Sequence, residues 1–383
     1  MAALSARSDF EILASHRFLN TAFCGPIPKV VEVAMSERMR ARATAPTDVL
    51  QAMEQVDVVR GQVASLLNAQ RSEIAFLHST SDGENIVARS LALGPSDNVV
   101  TDDLSYHTTH VLGEALARSR GVEFRVVPSR NGAVSAEDYS HFVDGRTKLL
   151  IVSAVAHVNG FAHNLPHLAA LAHEYGAYLY VDAIQAVGTR EIDVRREDVD
   201  FLCFGTYKWV MSGFGVAPFY IRRELLDLIA PDRVGWHTAH HLRGDAPYQS
   251  AKKFEHASPS FDCYYPLGAA LHYLESLGLE NIEAHSTRLV SLLREELTRR
   301  AIRCFTPAEN RAPTISFWVG GPPELTIQAL RSRSIEATVS SEEPRFSPQP
   351  TAPVTRIRVS CAHFNDENDL QSLIDALADL SPC

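Results

Sequence analysis

The stretch YLYVDAIQAVGTREIDVRREDVDFLCFGTYKW, Tyr178 to Trp209, decides how the rest of the chain is read. An apolar run from Ala177 to Val181 has the length and composition of a buried strand and ends on Asp182. A second such run, Phe201 to Phe204, leads into Gly205-Thr206-Tyr207-Lys208. Ligand sites in open α/β sheets lie at the carboxyl ends of strands. Two strands thus deliver one acid and one lysine to the same edge of a sheet.

An acid and a lysine in that relation suit pyridoxal phosphate. The lysine amine forms a Schiff base with the aldehyde, and the carboxylate keeps the ring nitrogen protonated so that the ring accepts electrons. Taken singly, each residue has a plainer reading: Asp182 caps a turn and Lys208 is a solvated lysine. The surroundings reverse that reading. Asp182-Ala183-Ile184-Gln185, the run from Asp193 to Phe201, and Lys208-Trp209 with Gly213-Phe214-Gly215 resemble the class V aminotransferase and cysteine desulfurase family of fold-type I pyridoxal phosphate enzymes. The alternation of strands and helices supports the α/β class by itself. The resemblance implies a mainly parallel seven-stranded sheet in a large domain, a smaller α+β C-terminal domain and a homodimer. It divides the chain into an N-terminal segment (1–27), a cofactor-binding domain (28–250) and a small domain (251–383). It also gives the cofactor to Asp182, Gln185, Tyr207 and Lys208, with Lys208 as the catalytic lysine.

The bulk composition agrees. The chain has 383 residues, 45% of them hydrophobic and 21% charged, as in an ordinary globular enzyme. A formal charge of −10 without a basic block argues against nucleic-acid and membrane-surface roles. No apolar run reaches membrane-spanning length, and MAALSARSDF has no signal-peptide core. The six cysteines are scattered without C-x-x-C spacing, which suits free thiols in a cytoplasm rather than zinc or disulfides. The His-rich run Trp236 to His241 lacks an acid or cysteine at metal-ligating spacing, so no metal is expected and a polar active-site loop fits better. No G-x-G-x-x-G turn follows an early strand, which excludes a nicotinamide oxidoreductase.

In chain order, Phe18 to Pro26 reads as a short strand and a Gly-Pro turn, with Asn20 either a turn residue or a substrate contact. Residues 28–67 are helical with a break at Pro46. His78 to Gly83 opens a helix after a strand, and small hydroxyl residues there make a phosphate cradle from backbone N–H groups and the dipole. Matching the family's pattern over Ser79 to Asn85 assigns Thr80 and Ser81 to the cofactor phosphate. The ring expected to stack on the cofactor falls on Tyr106, with His107 its neighbour. His157, after another strand, stands where desulfurases carry an asparagine and is a candidate catalytic residue. Phe254 to Pro259 resembles a turn that reaches the partner subunit's phosphate, through Ser258. Arg356-Ile357-Arg358-Val359-Ser360 resembles the strand whose arginine clamps a substrate carboxylate; Arg358 fits that position and Arg356 remains possible.

One expected residue is missing. Desulfurases need a nucleophilic cysteine on a loop before that arginine, and Val339 to Phe346 contains none. Cys361 reads as a buried, inert thiol. The expectation is therefore a lyase on a small-molecule substrate, an amino acid: Lys208 deprotonates Cα and a β-substituent is eliminated. An epimerase or aminotransferase of the same family is the alternative.

Overall fold

Seven segments of the central unit pair into one sheet in the computed structural model, which describes residues 2–240, 246–341 and 355–380. They are Ile74–Leu77 (β1), Asn98–Asp102 (β2), Glu123–Val127 (β3), Thr147–Ser153 (β4), Tyr178–Asp182 (β5), Phe201–Cys203 (β6) and Ala217–Ile221 (β7). Their order across the sheet is β1-β7-β6-β5-β4-β2-β3. Only β7 runs against its neighbours, so the sheet is mainly parallel as expected.

The strands read as unbroken apolar runs because both faces are covered. Val100, Leu150, Val152, Leu179, Val181 and Leu202 point to one face. Val99, Leu149, Ile151, Tyr180, Phe201 and Cys203 alternate to the other. Helices Val49–Leu66, Leu165–Glu174 and Phe261–Leu277 fill the first face; Thr80–Ser90 and His107–Arg120 fill the second. Registers Ser153↔Asp182 and Asp182↔Cys203 level the carboxyl ends of β4, β5 and β6. Asp182 and the segment carrying Lys208 therefore leave the sheet on one edge.

Pro46 separates helix Lys29–Thr44 from Val49–Leu66, and Asp48 caps the second by accepting the Gln51 amide at 3.0 Å. The sequence also reads a short helix over 222–229. The chain makes only a 3-10 turn there, Arg223–Leu225. Its leucines anchor it to the core instead.

The smaller unit holds an antiparallel sheet of Thr314–Phe317 (β8), Thr338–Ser341 (β9) and Thr355–Ser360 (β10), in the order β8-β10-β9. Leu289, Leu293, Ile315, Phe317, Ile357 and Leu373 form its core. Packing draws the seam differently from the division 1–27, 28–250 and 251–383. Helix Phe261–Leu277 buries Leu267 and Leu274 in the large core. The N-terminal segment docks on the small unit: Arg17–Phe18 pairs with Ile335–Glu336, and Leu19 joins that core. No helix among the described residues is long and apolar enough to cross a membrane.

Candidate active site

Lys208 follows β6 in a loop that its own side chains brace. The Thr206 hydroxyl reaches the carbonyls of Gly213 (2.8 Å) and Val216 (3.0 Å). The N-terminal segment presses on the same loop: the Gly25 amide donates to the Tyr207 carbonyl at 2.9 Å. A Cβ at Gly25 would fall 2.0 Å from the Lys208 carbonyl oxygen, so only glycine fits. Lys208 is 8% exposed. Burial, and then the charge of Arg358, push its ammonium down to about 8, with Asp182 opposing. Asp182 is buried too, and burial raises its carboxyl while the Ile184 amide, donating at 3.0 Å, works to keep it charged.

Beside Lys208 opens a cleft of about 260 Å³. Tyr106, His157, Tyr207, Lys208 and Arg358 all line it, brought from four separate stretches of chain. Tyr106, His107 and His157 form a three-ring cluster with centroids 5.0–5.5 Å apart, and His107 also lines the cleft. The segment bearing Tyr106 hangs from Asp102, which accepts the Leu104 amide at 2.8 Å and the Tyr139 hydroxyl and faces the His163 Nε2 at 3.0 Å. Burial pushes His157 well below the ordinary imidazole range, helped by Arg358, so its ring is neutral.

Arg358, on β10, donates to the His157 carbonyl at 2.6 Å. It is 7% exposed and no carboxylate among the described residues pairs with it. Burial lowers it to about 10. Arg356 is engaged elsewhere, its guanidinium 3.6 Å from the Phe305 ring centroid and 4.9 Å from that of Trp318. Of the two candidate arginines, Arg358 is the one in the cleft.

Other expected residues lie around this centre rather than in it. Ser79, not Thr80 or Ser81, caps the helix Thr80–Ser90, its hydroxyl accepting the Asp82 amide at 3.2 Å. Thr80 and Ser81 thus stand in the first turn, where backbone donors and the positive dipole end suit an anion. The Ser81 hydroxyl lies 3.3 Å from that of Thr108, beside the ring cluster. Gln185 donates to the Ala22 carbonyl (2.9 Å) and accepts the Trp209 indole (2.8 Å). Asn20 is buried at an isolated bridge to Ser360, and Ala22 and Phe23 line the cleft in its place. Tyr207, itself in the cleft wall, stacks on Phe214 at 4.2 Å. Ser258 is exposed in a separate notch with His78, Asp82 and Arg233. Residues 342–346 of the expected nucleophile loop, and His241, lie outside the described residues. No group of three or more metal-ligating side chains occurs among the described residues.

The aminotransferase class-V family model matches residues 24–373. The chain belongs to that family. A cysteine desulfurase of Pectobacterium carotovorum subsp. carotovorum is 31% identical over 334 residues, covering 82% of each chain. The apo structure of a cysteine desulfurase from Thermococcus onnurineus superposes with a TM-score of 0.89 at 25% identity, over 99% of each chain. The fold is shared with the cystine C-S lyase C-DES, solved with its product cysteine persulfide: TM-score 0.88, 22% identity, 97% and 100% coverage. Class-V enzymes use pyridoxal phosphate, and the cofactor here is pyridoxal phosphate. The site fits it, with a buried lysine whose amine is freed near pH 8, a buried acid, an aromatic wall and a helix N-terminus close by.

Sequence reasoning gave no site role to Phe23, to the β9 residues or to Glu84. Phe23 and the β9 residues Thr338 to Ser341 line the cleft, brought there by pairings between distant parts of the chain that no local pattern announces. Glu84 was legible: an acid on the buried side of a helix, where leucine or alanine is the ordinary occupant.

Proposed function

We propose that the protein is a pyridoxal phosphate-dependent lyase that eliminates a β-substituent from an amino acid. The observation that carries this is a buried arginine without a carboxylate partner among the described residues, Arg358, in the same cleft as a buried lysine, Lys208. The cofactor, when bound through Lys208, supplies the electron sink for charge that develops at Cα. Arg358 holds the substrate carboxylate in its planar fork. The Lys208 amine, neutral once free, would take the Cα proton on Nζ. Asp182 holds a proton on the ring nitrogen. Tyr106 covers the ring, Thr80 and Ser81 hold the phosphate, and Tyr207 walls the lysine. Asn20, behind Ala22, positions the N-terminal wall.

Relatives named cysteine desulfurase support a sulfur-bearing β-substituent. The run Val339 to Phe346 supplies no cysteine to accept that sulfur, and Cys361 is fully buried with its thiol pushed up by burial. Departure of the β-group needs no enzyme thiol when the leaving group is good. A second reading, an epimerase, rests on His157: its ring is neutral in the cleft, with Nδ1 lacking a partner among the described residues, and so can serve as a second base.

We also propose a homodimer in which Ser258 reaches the partner's phosphate. The exposed apolar side chains Phe23 (63%), Leu50 (83%) and Phe214 (64%), with Val30, Val33 and Met39 on helix Lys29–Thr44, support a covered face.

The test is a product analysis of the purified holoenzyme with β-substituted amino acids. Elimination gives keto acid and ammonia with the cofactor unchanged. Racemised substrate without ammonia identifies the epimerase, and accumulation of pyridoxamine phosphate identifies an aminotransferase; either result defeats the lyase.

A further inference from the structure

A second buried carboxyl, Glu84, stands on the strands β5 and β6, the first of which ends in Asp182. Glu84 sits in helix Thr80–Ser90, four residues beyond Thr80 and on the same side. It is 2% exposed; Oε1 accepts the Thr109 hydroxyl at 2.9 Å, and Oε2 has no partner among the described residues. Its place is rigid. A Cβ at the adjacent Gly83 would fall 2.7 Å from the Tyr180 hydroxyl oxygen and 3.2 Å from the Cys203 sulfur, so the helix lies directly on β5 and β6. The ionisable groups around Glu84 are Asp182 and Tyr180 from β5 and Cys203 from β6. Helix His107–Arg120 faces it with Thr109, and carries His107 and His110 on either side of that residue.

Two carboxyls sharing a dry site cannot both ionise freely; one holds a proton until the pH forces it off. We propose that Glu84 is a positioning residue for the cofactor ring, a proton-exchanging second carboxyl that sets how much negative charge the Asp182 end of the site presents to the ring nitrogen. This rests on the role of Asp182 given under the proposed function. With its proton on, Glu84 leaves Asp182 as the only charged carboxyl there. With its proton off, two carboxylates face that end and the ring nitrogen keeps its proton more firmly. Burial, then Asp182, push the Glu84 carboxyl up to about 8, while the Thr109 hydroxyl favours its charged form.

The test follows the cofactor absorbance of the holoenzyme from about pH 6 to about pH 10, a range that brackets the expected exchange. Wild type is compared with Glu84→Gln, Thr109→Val and Asp182→Asn. Wild type should show one more transition, near pH 8, than Glu84→Gln, which keeps the shape and the acceptor for Thr109. Thr109→Val should move that transition to higher pH, because the charged form loses its donor. Equal numbers of transitions in wild type and Glu84→Gln overturn the proposal, as does a Glu84→Gln protein whose only change is a lower melting temperature. If Asp182→Asn keeps both the cofactor and the wild-type spectrum, the Asp182 assignment fails. Loss of the Glu84-dependent transition alone leaves that assignment intact, so the two readings fail separately.

Discussion

Arg356 and Arg358 are two residues apart on one strand and look equivalent in the sequence, yet their surroundings separate them. Arg358→Ala removes a charge from the cleft and should weaken substrate binding by about 2–5 kcal/mol, roughly 30-fold or more in Kd, with the cofactor spectrum unchanged. Arg356→Ala removes a cation from between two rings and should lower the melting temperature while substrate binding stays normal. Equilibrium binding of a non-reacting amino acid to both variants checks this, and the reverse outcome would show the strand misread by one repeat. Lys208 carries a pH prediction. Below about pH 8 its amine is protonated and is no nucleophile, so cofactor capture by the apoprotein should speed up as pH rises through about 8 and then level off. In Arg358→Ala a repelling cation is gone, so the midpoint should move upward; stopped-flow absorbance gives both curves. That Asp182 and Lys208 leave one edge of the sheet was legible because one ends a buried run and the other closely follows one. The bonds of Gln185 to Ala22 and Trp209 were not, since nothing local announces them.

The helix Thr80–Ser90 shows how one element divides its labour. Ser79→Ala should cost about 1 kcal/mol of stability through loss of a cap, leaving cofactor affinity unchanged. Thr80→Val and Ser81→Ala should do the opposite, releasing cofactor more readily at nearly constant melting temperature. Fluorescence titration of the cofactor, paired with thermal melts, separates the two effects, and equal cofactor loss in all three variants would mean the cradle is not there. The strands of the main sheet were legible for a physical reason. Burial on both faces makes each one a continuous apolar run, bounded by polar turns. The segment 222–229 was misread as a helix because it is apolar and short, a pattern that a core-anchored turn also satisfies. The seam between the units could not be read at all, since helix Phe261–Leu277 is equally apolar whichever core receives it.

At the scale of the whole molecule, the apolar face around helix Lys29–Thr44 and Phe214 predicts an assembly. Val33→Asp should convert a dimer into monomers in sedimentation velocity and weaken cofactor retention through loss of the partner's Ser258. A wild-type protein that sediments as a monomer with full activity would end that idea. The docking of residues 4–22 onto residues 335–365 has a further consequence, for the order of events at the ribosome. The Ala22 amide meets the Ser360 hydroxyl across 338 residues, Leu19 enters a core built from β8 and β10, and the same N-terminal run carries Gly25 onto the back of Lys208. While the chain is being made, residues 4–19 wait for their partners among residues 334–365, although the seven-stranded sheet can already close and hold Ala22 and Gly25 through Gln185 and Tyr207. The loop of Lys208 is thus braced early, and the cleft is finished only when β9 and β10 bring Thr338 to Ser341 and Arg358.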